Sequence, residues 1–556
     1  LGDARTFDAT GSTMHDATGS ETRDAGHARD SAASAGHDAA PRDVGHLEVG
    51  GDSGGSDSGH AGDAQPDGDA AAACPTVETA GGPLLGKKSG PACAYLGVPF
   101  AAPPVGDLRW KEPQPAPAWT SPRPSEFAPD CAPGGSSRAP SSGEDCLYLN
   151  VWTPAGPAIT PRAAMVFVHG GGFISGSAAD STYDGAHLAA TTGTIVITTN
   201  YRLGVFGFLS SPALRAEDPH GSAGNYGILD QIAAFEWVKA NATSFGGSGQ
   251  VAIFGQSAGG ISMLVQLASP VGAGSFDAVL VESADAPNDQ AAMAESVADS
   301  IGDSFASEAG CSGATLLSCL RAATSAQVES AAGAVSPGLA FTWSPVIDGY
   351  VLEDYPMVRI QEGQGAQVPT LIGTNADDGV SFVGGVEDAS SYLAFADLRF
   401  PGHGAAVVAQ YPASAYGGSY NAAAAAAFTD GAFTCPARTV ARGLTAGGAA
   451  VYRYQFTHTV SLAGSPPAAF HGAELEFVFG NAIAGGVSVQ PAEVPLEQAI
   501  EGYWAAMAAT GDPNGGGRLE WPLYQVPPEP DLVLDLPLST ETGLDASACA
   551  FWDALN

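Results

Sequence analysis

Positive charge is scarce in this chain of 556 residues: Lys plus Arg number 21 against 59 Asp plus Glu, a formal net charge of −38 at pH 7. A surface so acidic repels phosphate, and no Lys/Arg cluster makes a local exception. Nucleic acid and anionic membrane surfaces are therefore excluded as expected partners. Long apolar runs are missing as well. No window approaches about 18 consecutive apolar residues, so no segment reads as a membrane-spanning helix. No two cysteines stand in Cys-x-x-Cys spacing, which weighs against a zinc ribbon or a thioredoxin-type redox site. What is abundant is core material. Hydrophobic residues make up 45% and charged residues only 14%, which excludes a fibrous or wholly disordered chain.

The eight cysteines are even in number and dispersed. In a Lys-poor acidic protein this reads as disulfides formed in an oxidising compartment, so an extracytoplasmic location (secreted, periplasmic or surface-tethered) is expected. The first residue is Leu1 rather than Met, and any signal peptide is expected to lie outside the sequence.

Residues 1–73 differ from the rest. Phe7 is their one aromatic, and 12 Asp and 2 Glu against 4 Arg give them −10, leaving −28 for the other 483 residues. So little apolar surface does not offset the entropy of ordering, and the segment reads as a low-complexity disordered tether. His15, His27, His37, His46 and His60 are too widely spaced for one local chelate. Asp63, Asp67 and Asp69 miss EF-hand spacing.

From Cys74 onward strands and helices alternate, and residues 74–556 read as one catalytic domain with long insertions. Ala164–His169, Thr194–Thr199, Val251–Phe254, Ala278–Val281, Thr370–Gly373 and Ala450–Phe456 are short apolar runs suited to buried strands. Asp230–Asn241 places Ile232, Phe235, Trp237 and Val238 on one helical face, and Ile261–Leu267 continues as a second helix. The alternation predicts an α/β fold: a large, mostly parallel sheet with helices on both faces.

Gly-x-Ser-x-Gly occurs twice. In so glycine-rich a chain about one match arises by chance, so context decides. Gly51-Asp52-Ser53-Gly54-Gly55 lies in the tether, with no strand before it and no base or donors held near it. Gly255-Gln256-Ser257-Ala258-Gly259 instead follows the strand VAIF and opens a helix. That is the context of a nucleophile elbow, in which a strained turn lifts the Ser257 hydroxyl above the sheet and the Ala258 N–H joins the free donors at a helix N-terminus. Upstream, His169-Gly170-Gly171-Gly172-Phe173 directly follows the strand AMVFV; a triple glycine brings bare backbone N–H groups close to a ligand.

These motifs stand among many others in order: YLGVPFAAPPVGDLRW (95–110), EDCLYLNVW (144–152), HGGGFISGS (169–177), NYRLGVFGFLS (200–210), GNYGILDQ (224–231), FGQSAGG (254–260), PVIDGYVL (345–352) and ACAFWDAL (548–555). Together they resemble the type-B carboxylesterases, the α/β-hydrolase family of cholinesterases, bile-salt-activated lipase and many bacterial esterases. The resemblance covers nearly all of the chain after the tether. It implies an α/β-hydrolase fold, an exported bacterial enzyme, and Gly171, Gly172 and Ala258 as oxyanion donors.

A serine nucleophile needs a base, and the base an acid, in the chain order Ser, acid, His. His403, His458 and His471 follow the stretch GTNADDGVSF that holds the acid. His471, in FHGAELEFVFG, resembles the family's catalytic histidine, and His458 reads as structural. The motif match assigns the acid to Asp378, with Asp377 the alternative. The resemblance also implies scaffold ion pairs Arg109–Glu144 and Arg202–Asp230, and disulfides Cys131–Cys146, Cys311–Cys319 and Cys435–Cys549, which leaves Cys74–Cys93.

Three departures from the family bear on chemistry. Asp378 stands where Glu is usual, one methylene shorter, and Gln256 stands where Glu is usual, removing a charge beside the serine. The 14 residues between Cys131 and Cys146 contain no aromatic. A quaternary ammonium needs an aromatic face, so choline esters are not the expected substrate. The expected function is serine ester hydrolysis through a Ser–His–Asp triad and an acyl-enzyme, on small to medium uncharged esters. Alternatives are a lipase or acyltransferase with the same triad, or a non-enzymatic neuroligin-like adhesion protein. No metal or cofactor is implied, and a monomer is the expected state.

Overall fold

The computed structural model describes residues 74–284, 291–335, 342–462, 464–483 and 486–555. The tether expected over residues 1–73, with its Gly51–Gly55 motif and its histidines, lies outside them. An 11-stranded sheet organises the rest. Its strands are β1 (Lys87–Ser89), β2 (Ala92–Pro99), β3 (Tyr148–Pro154), β4 (Arg162–Val168), β5 (Ile195–Thr199) and β6 (Gly247–Gln256). They continue as β7 (Ala278–Glu282), β8 (Thr370–Asn375), β9 (Val451–Phe456), β10 (Pro530–Leu534) and β11 (Ser539–Thr542). In space the order is β11-β10-β9-β8-β7-β6-β4-β5-β3-β2-β1. From β5 to β10 all neighbours are parallel. Antiparallel pairings close both ends.

Burial on both faces explains why the central strands read as unbroken apolar runs. Side chains alternate with period two. Ala164, Val166 and Val168 of β4 face one core, and Met165 and Phe167 face the other. In β6, Val251 and Ile253 join the first core, and Ala252 and Phe254 the second. Each large side chain so buried contributes about 1.5–3 kcal/mol. Helices α1 (Tyr226–Asn241), α2 (Ala258–Ala268) and α3 (Cys435–Gly447) cover the first face. Helix α4 (Val494–Thr510) covers the second with Leu496, Ile500, Trp504 and Met507. This is the α/β-hydrolase architecture.

A helical insertion follows β8. Its helices Ala389–Arg399, Gly404–Gln410 and Tyr420–Phe428 build a third core around Tyr392, Phe428 and Phe433, to which Trp552 returns from the C-terminal segment. The disulfides are Cys74–Cys93, Cys131–Cys146, Cys311–Cys319 and Cys435–Cys549; the last spans 114 residues and ties α3 to the C-terminal helix. Arg109 binds Glu144 through two hydrogen bonds of 2.6 Å, and Arg202 binds Asp230 through two of 2.7 Å. Among the described residues, no helix is long and apolar enough to cross a membrane.

Candidate active site

The site forms at the C-terminal ends of β4, β6 and β8, where loops leave the parallel strands and helix N-termini begin. Ser257 stands between β6 and α2, as the helix N-cap, with φ 60° and ψ −124°, a conformation that costs a non-glycine residue free energy and is held by its surroundings. Its N–H donates to the Glu282 carbonyl at the end of β7 (3.0 Å), and its carbonyl accepts from Ile261 (2.8 Å). The two glycines of the elbow have steric reasons. A Cβ on Gly259 would lie 2.0 Å from the Val168 carbonyl oxygen, and one on Gly255 would lie 2.6 Å from the Gly259 carbonyl. Close approach of α2 to β4 therefore demands glycine.

The triple-glycine loop comes down beside this turn. A Cβ on Gly170 would sit 2.9 Å from the Ser257 Cβ. Gly171 and Gly172 have φ of 107° and 62°, and no described residue accepts from either N–H. His169 braces the loop from below: its ring stacks on Tyr201 at 4.6 Å, and the Tyr201 hydroxyl donates to the His169 carbonyl. Burial pushes the His169 imidazole down to about 4, so it is neutral packing rather than a working base.

Asp378 lies just past the end of β8 and is fully buried. Its Oδ1 lies 2.7 Å from His471 Nδ1, and its Oδ2 accepts from the Asn375 N–H at 2.9 Å. Asp377 points elsewhere, accepting from the Ala469 N–H at 3.0 Å. The insertion fixes the acid loop, since the Gly379 N–H donates to Thr429 Oγ1 and a Cβ on Gly379 would lie 2.1 Å from the Ala425 carbonyl oxygen. Ser257 and His471 are half-buried, within reach of a ligand. The aromatic rings of Phe382 and Phe433 flank the imidazole at 4.8 and 5.2 Å. His471 Nε2 lies 3.2 Å from Nε2 of Gln256, the residue before the serine.

Of the other candidates, His458 bridges Asp535 (2.8 Å) and Glu493 (3.2 Å), and His403 precedes the helix Gly404–Gln410; neither is brought to Asp378. Two buried acids beside the site carry no sequence signal. Glu474 shares Asn375 with the acid loop, accepting from its side-chain amide. Burial, then the Asp378 carboxylate, pushes Glu474 up to about 7. Behind the elbow, Glu282 Oε1 accepts from Trp504 of α4 at 2.6 Å. Burial, then Glu474, pushes Glu282 up to about 8. Only contacts across 99 and 222 residues reveal these acids.

The sheet, with a serine at a strand–helix turn and an imidazole backed by a carboxylate at its C-terminal edge, is that of an α/β hydrolase, and the chain belongs to the carboxylesterase family, whose model matches residues 73–552. It is a carboxylic ester hydrolase. Among its relatives, fumonisin B1 esterase of Sphingopyxis macrogoltabida is 35% identical over 452 residues, 78% of this chain and 81% of that one. Carboxylesterase 1D of Mus musculus is 32% identical over 543 residues, 86% of this chain and 93% of the relative. The solved structure of a PNB esterase superposes with a TM-score of 0.75 at 30% identity, covering 86% of this chain and 99% of that one.

Proposed function

We propose that the protein hydrolyses small to medium uncharged carboxylic esters through Ser257, His471 and Asp378 and an acyl-enzyme intermediate. The observation that most supports this is the 2.7 Å contact of His471 Nδ1 with Asp378, whose other oxygen is already held by backbone. A carboxylate at Nδ1 keeps the proton there and leaves the Nε2 lone pair for the serine. His471 takes the Ser257 proton as Oγ attacks the ester carbonyl. The N–H groups of Gly171, Gly172 and Ala258 receive the oxyanion, and each such donor is worth about 10²–10³ in rate. The alcohol leaves with the proton from His471, and water, activated by the same imidazole, releases the acid.

Neutral substrates suit this site for two reasons. The net charge of −38 disfavours polyanions, and the Cys131–Cys146 loop offers no aromatic face to a quaternary ammonium. Work is expected outside the cytoplasm, in keeping with four disulfides.

Turnover of p-nitrophenyl acetate and butyrate tests the reading. Ser257→Ala is expected to lower kcat by about 10⁵-fold or more. An alkyl fluorophosphonate should label the peptide carrying Ser257 and no other. Label on the peptide carrying Ser53, or full turnover by Ser257→Ala, would overturn the assignment.

A further inference from the structure

On the second face of the sheet, apart from the residues assigned to catalysis, three side chains converge from two helices distant in sequence. His187 belongs to the short helix Ala186–Thr192, and Glu497 and Glu501 stand one turn apart on α4. Their ligand atoms all lie within 4.8 Å of one another. From the geometry we infer that His187, Glu497 and Glu501 form a binding site for one divalent transition-metal ion of the zinc type, which clips the helix after the glycine loop to α4.

Glu501 carries the argument furthest. Its side chain is only 3% exposed, and its Oε1 lies 3.0 Å from His187 Nε2, an ion pair whenever the imidazole is protonated. A buried carboxylate against an imidazole is compensated by a proton or by a divalent cation, and imidazole nitrogen with carboxylate oxygen is a donor set for such a cation. Glu497 adds a second carboxylate, 3.6 Å from the same nitrogen. Two acids thus face one imidazole. Among the described residues no Lys or Arg forms an ion pair with either acid. Arg518, in the segment after α4, lies over the Tyr503 ring and donates to the Pro513 carbonyl.

The donor set fits the ion. Zn²⁺ takes imidazole nitrogen and carboxylate oxygen, and carboxylates at i and i+4 lie side by side on one helical face. The imidazole is held in place: the backbone of Gly480 packs so closely that a Cβ there would fall 2.2 Å from His187 Cδ2. His187 itself is 39% exposed, which leaves a path for the ion and room for a water ligand. A clip between residues 187 and 497 closes a long stretch of chain, so binding is expected to stabilise the fold.

Thermal unfolding of the full chain tests this. The chelator-stripped protein is titrated with ZnCl₂ and, separately, with CoCl₂ followed by visible absorption. Saturating zinc should raise Tm by about 2–4 °C, and cobalt should develop d–d bands. Glu501→Gln and His187→Asn should lose both responses and bind at least about tenfold more weakly, with metal-free ester turnover unchanged. Glu497→Gln serves if Glu501→Gln does not fold. Equal Tm shifts in wild type and variants would place the metal elsewhere, for instance on the histidines of residues 1–73, and overturn the proposal. So would no shift and no cobalt spectrum in the wild type.

Discussion

The side-chain nitrogen of Gln256 lies 3.2 Å from His471 Nε2, so the residue next to Ser257 touches the nitrogen proposed to take the serine proton. A neutral amide there neither attracts nor stabilises an imidazolium. Gln256→Glu puts a carboxylate in its place, which favours protonated His471. The base form then appears only at higher pH, and the acid limb of the kcat/KM profile should move up by as much as about one pH unit. An unchanged profile would mean that Gln256 does not meet the working imidazole.

Asp378→Asn should retain the fold and lower kcat by roughly 10⁴-fold, the loss a serine protease suffers when its orienting carboxylate becomes an amide and the imidazole takes the wrong tautomer. Asp377→Asn removes only an acceptor for the Ala469 N–H and should leave kcat within a few-fold of wild type. In Asp378→Glu the extra methylene enters a loop pinned by Thr429 and Ala425, so partial activity, about 1–30%, is expected. Single-turnover kinetics with a p-nitrophenyl ester separates the three. A dead Asp377→Asn beside an active Asp378→Asn would reverse the assignment.

Stability should fall as pH rises. Glu282 and Glu474, raised by burial to about 8 and about 7, bind protons in the folded state that the unfolded chain releases near the ordinary Glu value of 4.5. Their contribution is complete below that value and is lost as pH climbs through 7 to 8. Glu282→Gln keeps an acceptor for Trp504 and cannot ionise. Its Tm should therefore decline less than that of wild type between about pH 5 and about pH 8.5. Parallel Tm curves for the two proteins would sink this account.

Gly259→Ala tests the packing of the elbow. The added methyl would collide with the Val168 carbonyl at the mouth of the glycine loop. A stability loss of about 1–3 kcal/mol is expected, with a larger fall in kcat than in substrate affinity, because the shift separates Ser257 from the proposed oxyanion donors. Denaturant melts and steady-state kinetics report the two effects.

How much of this is legible in the sequence depends on how local the cause is. Strands β4 to β9 are buried on both faces, so each announces itself as an apolar run. The elbow and the glycine loop are legible because steric demands at single backbone positions write glycine into adjacent residues. The sequence pattern starts helix α1 at Asp230, but the helix begins at Tyr226, because Tyr226–Ile232 is buried all round and offers no polar face to mark a period. Trp237, expected on the apolar face, is only half-buried. The insertion after β8 leaves little mark in the sequence, since Tyr420–Phe428 is mostly alanine, with no amphipathic pattern. Gln256, Glu282 and Glu474 act through partners about 100 to 220 residues away, and nothing in their immediate neighbours encodes those meetings.

Glu282 has a consequence for how the enzyme tolerates damage. Its backbone oxygen holds the Ser257 N–H, and its carboxyl holds the indole of Trp504. Ser257 is thereby moored to a helix that completes only at Thr510. A nascent or proteolysed chain ending after His471 contains every residue assigned to the triad, yet lacks the Trp504 indole that buttresses the turn beneath Ser257. Ester turnover should therefore behave as a late checkpoint of synthesis: silent while the polypeptide is incomplete, and switched on only once helix α4 has docked.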